Sequence, residues 1–176
     1  VMRNQSMLRH VKLQAMLVAL LVAAWNVYPA LADSRTEQFD RQMRPILEDY
    51  LRIGETLAAD SVEGVHRKAE SIAKLAGSLD PTKVSGDHAS RYEHVPARLR
   101  SAARTLAESK TLEEARAAYK ELSKPMGMWA SMSKPKGIDV VYCPMAKASW
   151  LQKKGATRNP YHGSEMLRCG QVVKAH

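Results

Sequence analysis

Two short clusters near the C-terminal end of the sequence contain the residues with the most distinctive chemistry. They are YCPMAKASW (142–150) and NPYHGSEMLRCG (159–170). Thiolate and thioether sulfur are soft donors that favour Cu(I) and, by the same argument, Ag(I). Cys143 and Met145 are two residues apart and would share one face of a strand. Met166 and Cys169 are three residues apart and would share one side of a helical turn. The clusters therefore predict a site of four sulfur donors to which one histidine can add a nitrogen donor. The candidate metal ligands are Cys143, Met145, His162, Met166 and Cys169.

A disulfide is the alternative interpretation of the same residues. Cys143 and Cys169 are the two cysteines of the chain, so a disulfide between them is the single possible intramolecular pairing. Closing a loop of about 25 residues stabilises a small fold by about 3 kcal/mol. The two methionines would then be packing residues, and the aromatic residues of the clusters would be buried; these are Tyr142, Trp150 and Tyr161. Both interpretations stay open, because thioether and imidazole donors can bind Cu(I) without free thiols.

Three further methionines, Met126, Met128 and Met132, precede the first cluster. They can form a second, weaker metal site, or they can be core residues of a helix. The core interpretation is favoured, because Met126 and Trp129 continue an apolar helical stripe.

The region that must position these clusters has helical periodicity from residue 34 to residue 132. Four amphipathic segments are separated by turn signals, and Pro45 is expected to kink or restart the first of them. Asp60 and Glu63 are expected to cap the second, and Thr111 and Glu114 the fourth. The apolar stripes are Phe39, Met43, Ile46, Leu47, Tyr50, Leu57; Val62, Val65, Ala69, Ile72, Ala73, Leu79; Val95, Leu99, Ala102, Ala103, Leu106; and Leu112, Ala115, Tyr119, Leu122, Met126, Trp129.

The predicted fold class is mainly α: an up-down helical bundle of about four helices with a small C-terminal β-hairpin or turn cap. The β-branched run IDVVYC predicts a strand that ends at Pro144, and QVVK (171–174) predicts a returning strand. We expect one domain, 33–176, made of a bundle (33–132) and a Cys/Met cap (138–176) docked on it. About 40 residues cannot easily bury a core of their own.

The helices contain no catalytic constellation, and the protein is not expected to be an enzyme. Nucleophile-elbow, phosphate-loop and paired-histidine motifs are absent from the sequence. His66, His88 and His94 stand among charged residues and are expected to be ordinary surface histidines. Asp60, Glu63 and Glu114 are explained more simply as helix caps than as acid–base groups.

Residues 1–32 predict a signal peptide that is removed. Basic residues precede the apolar run AMLVALLVAAW, and Ala30-Leu31-Ala32 gives the small-x-small pattern of cleavage before Asp33. Eleven apolar residues are fewer than the roughly 20 that span a bilayer, so an uncleaved anchor is the weaker alternative. The sequence therefore predicts a periplasmic protein without stable membrane insertion after cleavage.

The remaining chain is basic. With 24 basic and 18 acidic residues after the leader, its net charge is +6. The charges are interleaved, as in EEARAAYKE, and an exported protein rarely meets nucleic acid, so no nucleic-acid partner is expected. Weak attraction to anionic membrane surfaces is the fairer inference from the charge.

YCPMA, WLQ, NPYHG and MLRCG, in this order, resemble a bacterial family of exported domains of unknown function. Members of that family occur alone after a signal peptide and fused to periplasmic adaptor subunits of copper and silver efflux pumps. The resemblance implies Cu(I) or Ag(I) handling linked to efflux or resistance, with an efflux adaptor or a metal chaperone as partner. The chain also resembles small heavy-metal-binding modules but lacks their additional cysteine and histidine. The competing hypothesis is a non-catalytic helical interaction module whose cap is closed by a Cys143–Cys169 disulfide, without metal.

Overall fold

A computed structural model of the chain describes residues 37–84 and 89–173. The predicted signal peptide and His88 lie outside these ranges. The helices are α1 (37–58), α2 (Val65–Ala76), α3 (Ala89–Glu93), α4 (Val95–Ala107) and α5 (Leu112–Ser133), and the strands are β1 (Ile138–Cys143), β2 (Ala148–Lys153) and β3 (Gln171–Val172). The mainly helical fold with a small C-terminal antiparallel sheet confirms the predicted fold class.

The predicted apolar stripe of α1 is buried, since Phe39, Met43, Ile46 and Tyr50 are each at most 2 % exposed. The helix does not restart at Pro45, because helical residues continue without a break from 37 to 58. Pro45 is exposed, so its ring lies on the solvent side of the helix. The predicted restart at this proline was wrong: one missing N–H donor does not end a helix whose opposite face is packed.

The second helix begins later than the sequence predicted. Its N-cap is Gly64 in the left-handed conformation (φ 69°), and Val65 is the first helical residue. Val62 was expected in the buried stripe but is 39 % exposed. Asp60 also has a positive φ, 56°, and does not cap this helix. The predicted cap was wrong because Asp60 is engaged elsewhere in the structure.

The start of α5 follows the predicted capping box. Thr111 Oγ1 accepts a hydrogen bond from the Glu114 N–H at 3.1 Å, and a Glu114 carboxylate oxygen accepts one from the Lys110 N–H at 2.7 Å. The first bond satisfies an N–H group that a helix start leaves without a partner, and the second holds the residue before the N-cap. The helix continues through Pro125 to Ser133. Between α2 and α4 the described chain forms a 3₁₀ turn at Pro81–Lys83 and the short helix α3.

The cap contains a three-stranded antiparallel sheet in the order β2-β1-β3. In the hairpin, Val141 pairs with Trp150 and Cys143 with Ala148. The predicted strand after residue 137 is therefore present, and β3 is the predicted returning strand, although it spans two residues. The sequence did not identify β2, which supplies most of the pairing to β1.

The cap lies against the bundle through specific polar contacts. The Tyr50 hydroxyl accepts a hydrogen bond from the Leu151 N–H of β2 at 3.1 Å, and it lies 2.8 Å from Ser123 Oγ on α5. Lys120 Nζ donates to the Ala146 carbonyl at 2.7 Å. Trp150 is 2 % exposed within the same core. The expected docking of the cap on the helices is thus observed.

The methionines before the cap belong mainly to this core. Met126 is fully buried, and Met128 and Met132 are half-buried against the same cluster. The favoured core interpretation is therefore correct for Met126. No helix within 37–84 and 89–173 has both the length and the apolar character that a membrane crossing requires.

Candidate functional site

The two cysteines meet at one end of the cap sheet. Cys143 is the last residue of β1 and is fully buried, whereas Cys169 is half-buried in the segment that leads into β3. No disulfide bond joins them in the structure, and their sulfur atoms are 2.8 Å apart. The Cys169 N–H donates to the Met166 carbonyl at 2.9 Å, which fixes the backbone that presents Cys169. The structure therefore brings together the two residues that both hypotheses require.

Asn159 organises the segment that carries Cys169. Its side chain is fully buried and donates to the Cys169 carbonyl at 2.8 Å. Its Oδ1 accepts from the Tyr161 N–H at 2.8 Å and from the His162 N–H at 3.3 Å. The sequence alone does not reveal this role of Asn159. An asparagine before proline signals a turn, but it does not show which distant carbonyl the amide will bind.

Electrostatics distinguish the two thiols. Burial raises the pKa of the Cys143 thiol, but hydrogen bonds from Cys169, the N–H groups of Ala146 and Met145, and the Asn159 amide outweigh it and lower that pKa overall. The Ala146 N–H lies 3.4 Å from the Cys143 sulfur. The hydrogen bond to Cys143, together with burial and the charge on Cys143, raises the pKa of Cys169. Cys143 is therefore the sulfur that carries negative charge first.

The other predicted ligands, Met145, Met166 and His162, differ in their exposure to solvent. Met145 lies in the turn after β1 with its side chain 65 % exposed, and Met166 is half-buried at the end of a 3₁₀ turn. His162 is half-buried, and its Nε2 is a buried atom without a hydrogen-bond partner. Within the described ranges, no three His, Cys, Asp or Glu side chains are grouped as a metal site would need.

The aromatic residues of the clusters are divided between core and surface. Trp150 and Tyr161 are buried and meet edge to face, with ring centroids 5.7 Å apart. Tyr161 also donates its hydroxyl proton to the Ser149 carbonyl at 2.6 Å. Tyr142 is 41 % exposed, so the expectation that it would be buried was wrong. Its neighbours Val141 and Cys143 occupy the inward positions of β1, which turns Tyr142 to the opposite face.

An ion pair joins the second cluster to the turn between α1 and α2. Asp60 binds Arg116 on α5 through one carboxylate oxygen and accepts the Ser164 N–H at 3.1 Å through the other. Arg116 also donates to the carbonyls of Pro160 at 3.2 Å and Leu57 at 3.0 Å. The hydrogen bond from Ser164, followed by that from Arg116, lowers the pKa of Asp60 to about 2. This contact holds the cap against the bundle, and the helix-cap assignment of Asp60 and Glu63 had missed it.

The histidines on the helices have no comparable environment. His66 and His94 are exposed, as expected for surface residues. The chemistry available to the site therefore depends on the two sulfur atoms of Cys143 and Cys169. Such a pair can hold a soft metal ion between thiolates or form a disulfide.

Comparison with known proteins identifies the helical part of the chain. A family described as "Protein of unknown function (DUF3347)" matches residues 46–136, just over half of the 176 residues. The matched region runs from within α1 to the link before β1, so the thiol pair lies beyond it. No curated protein matches the chain, and no solved structure does. The chain belongs to this family of proteins of unknown function, DUF3347.

Proposed function

We propose that the protein is an exported metal-binding accessory protein that takes up Cu(I) or Ag(I) at Cys143 and Cys169. The observation that carries the proposal is the approach of these two sulfur atoms to 2.8 Å in a largely buried site. Two nearby thiolates suit a soft monovalent ion. Zn(II) is a poorer fit, because structural zinc sites close with four ligands.

The local environment of Cys143 supports ion uptake. N–H donors that face a sulfur stabilise its thiolate, which is the form that binds metal. At Cys143 these donors come from Met145, Ala146 and Asn159. An ion between two sulfurs needs them roughly 4 to 5 Å apart, given metal–sulfur bonds of about 2.3 Å. Cys169 must therefore move outward on loading, and it is the half-buried member of the pair.

The remaining candidate ligands have supporting roles in this proposal. Met145 lies two residues from Cys143 with an exposed thioether, so a side-chain rotation can add a third sulfur donor. Met166 and His162 lie on the same segment as Cys169 and are further candidate donors. The resemblance of the cap motifs supports a periplasmic location, and a periplasmic efflux adaptor or metal chaperone as partner in efflux or resistance.

Competition with a chromophoric Cu(I) chelator tests this function. The reduced protein should withdraw Cu(I) from the chelator, and Cys143→Ser and Cys169→Ser should each weaken that binding by at least about tenfold. Met145→Ser is the matched control beside the pair and should have a smaller effect. Equal affinities in wild type and both cysteine variants would exclude the thiol pair as the metal site.

A second function is favoured by the same short distance. Sulfur atoms 2.8 Å apart need little movement to form a disulfide bond. The protein would then be a non-catalytic helical interaction module with a covalently closed cap and no metal. Two results together would favour this function over the first. The purified protein would have a mass two hydrogens below that of the reduced protein, and the protein would not bind Cu(I) after its disulfide is reduced.

A further inference from the structure

Positive charge is concentrated on the cap. Residues 134–173 contain seven basic and two acidic side chains, a net charge of +5. The helical ranges 37–84 and 89–133 contain 15 basic and 14 acidic residues, a net charge of +1. The net positive charge of the described residues is thus carried mainly by the cap. The cap therefore attracts acidic partners more strongly than the bundle does.

The cap also carries most of the exposed large apolar side chains. Of five such residues in the part of the chain that the structure describes, four lie on it: Tyr142, Met145, Val172 and Val173, between 41 % and 65 % exposed. The fifth is Val62 in the turn before α2. Exposed apolar residues gathered with like charges are typical of an interaction surface.

A groove beside β3 combines these two properties. It has a volume of about 360 Å³ and lies between the end of α5, the start of β1 and the strand β3. Its apolar floor includes Ile138, Val140, Val172 and Val173. Three exposed lysines stand around it: Lys134, Lys136 and Lys154. We call these the rim lysines.

The strand beside the groove has an unpaired edge. In the order β2-β1-β3, strand β3 pairs with β1 on one side and with no other described strand. The Val173 N–H donates to the Val140 carbonyl at 2.8 Å, so the N–H and C=O of the preceding residue, Val172, point away from β1. An exposed edge of this kind is a template for strand addition.

We propose that the groove binds an extended, acidic segment of a partner protein as an additional strand on β3. Apolar side chains of that segment would contact the valine floor, and its carboxylates would contact the rim lysines. The concave shape and the free backbone edge favour a polypeptide over a flat lipid surface. The cap charge of +5 disfavours a second copy of the chain.

The proposal goes beyond metal binding and does not depend on it. It nevertheless places a partner close to the thiol pair. Val140 lies three residues before Cys143 on β1, which corresponds to about 10 Å along the strand. A docked partner would therefore be within reach of an ion held by the two sulfurs.

Nuclear magnetic resonance of the isotope-labelled protein tests the groove with defined probes. The first probe is a capped peptide that alternates glutamate and valine, and the second alternates lysine and valine. We expect saturable amide shifts at Val140, Val172 and Val173 with the glutamate peptide and none with the lysine peptide. Val172→Pro removes the outward N–H but keeps the Val173 donor, so it should abolish the shifts while the signals of β1 and β2 persist.

Charge reversals separate a local site from general attraction. Replacing the three rim lysines by glutamate should weaken binding of the glutamate peptide about tenfold. The matched control changes the net charge equally at a different groove, between α2 and α4, and should alter binding by less than about twofold. Its substitutions are Lys74→Glu, Arg100→Glu and Arg104→Glu.

Three results would overturn the proposal. Equal weakening by both triple variants would mean that binding depends on overall charge. Binding to phosphatidylglycerol vesicles without peptide-induced shifts would make the face a membrane surface. Shifts at the groove that depend on protein concentration alone would make it a contact between copies of this chain.

Discussion

The role of Asn159 gives the sharpest test of how the thiol pair is positioned. Replacement by alanine removes the acceptor of the Tyr161 N–H and the donor to the Cys169 carbonyl, both at 2.8 Å. A buried polar group left without a partner costs about 1–3 kcal/mol. Tyr161 is buried, so its N–H would be left without a partner at that cost. Cys169 is half-buried, so water can reach its carbonyl oxygen and replace the lost hydrogen bond. We therefore expect Asn159→Ala to lower the free energy of unfolding by about 1–3 kcal/mol.

Urea denaturation followed by circular dichroism measures the change in stability, and thiol alkylation measures the effect on the site. Loss of the Asn159 amide should release the Cys169 segment, so alkylation of Cys169 should become faster. Gln152→Ala is the matched control: this side chain also bonds within the cap but contacts neither sulfur. An Asn159→Ala protein with unchanged stability and unchanged alkylation would refute the assigned role.

Three further predictions test the bundle and its contact with the cap. Because the pKa of Asp60 is about 2 rather than 3.8, its contribution to stability is complete above about pH 4 and is lost as pH falls towards 2. The thermal unfolding temperature of Asp60→Asn should therefore depend less on acid pH than that of the wild type. Identical pH dependence in the two proteins would contradict the ion pair. Leu106→Ala should cost about 2–5 kcal/mol in urea denaturation, against less than about 0.5 kcal/mol for the exposed control Val62→Ala, and equal values would mean that the stripe is misassigned. Gly163→Ala should reduce the protection of cap amides in hydrogen exchange, because φ is 55° and a Cβ would collide with the Asp60 carboxylate; unchanged protection would argue against that close contact.

The helices were predictable because each carries its own periodic signal. The buried residues of α1 and α4 follow the apolar spacing, and the start of α5 is determined by Thr111 and Glu114, three residues apart. The strand β1 was also visible in its β-branched run. These elements depend on neighbours within about two turns or on alternation along one strand.

Features that depend on distant contacts were missed. Asp60 looks like a helix cap locally, but its partners are Arg116, 56 residues away, and Ser164, 104 residues away. Strand β2, ASWLQK, lacks clear alternation, since both Trp150 and Leu151 are buried. No local pattern in the sequence signals such pairings.

The site was predictable in part. The presence of one cysteine in each of the two clusters indicated that Cys143 and Cys169 lie close together. The positions of the methionines depend on turn geometry, which the sequence does not show. Met145 lies in the tight turn of 144–147, where Lys147 has a φ of 49°, and its side chain is exposed beside the buried Cys143. A spacing of two residues on an ideal strand would have placed both on one face.

Native mass spectrometry of the reduced protein, loaded with one equivalent of Cu(I), tests the central claim most directly. We predict a single copper adduct in the wild type and in Met145→Ser, and its loss in the double variant of Cys143→Ser with Cys169→Ser. A wild type without any adduct, or an adduct that persists in the double cysteine variant, would contradict the assignment of Cu(I) to the thiol pair.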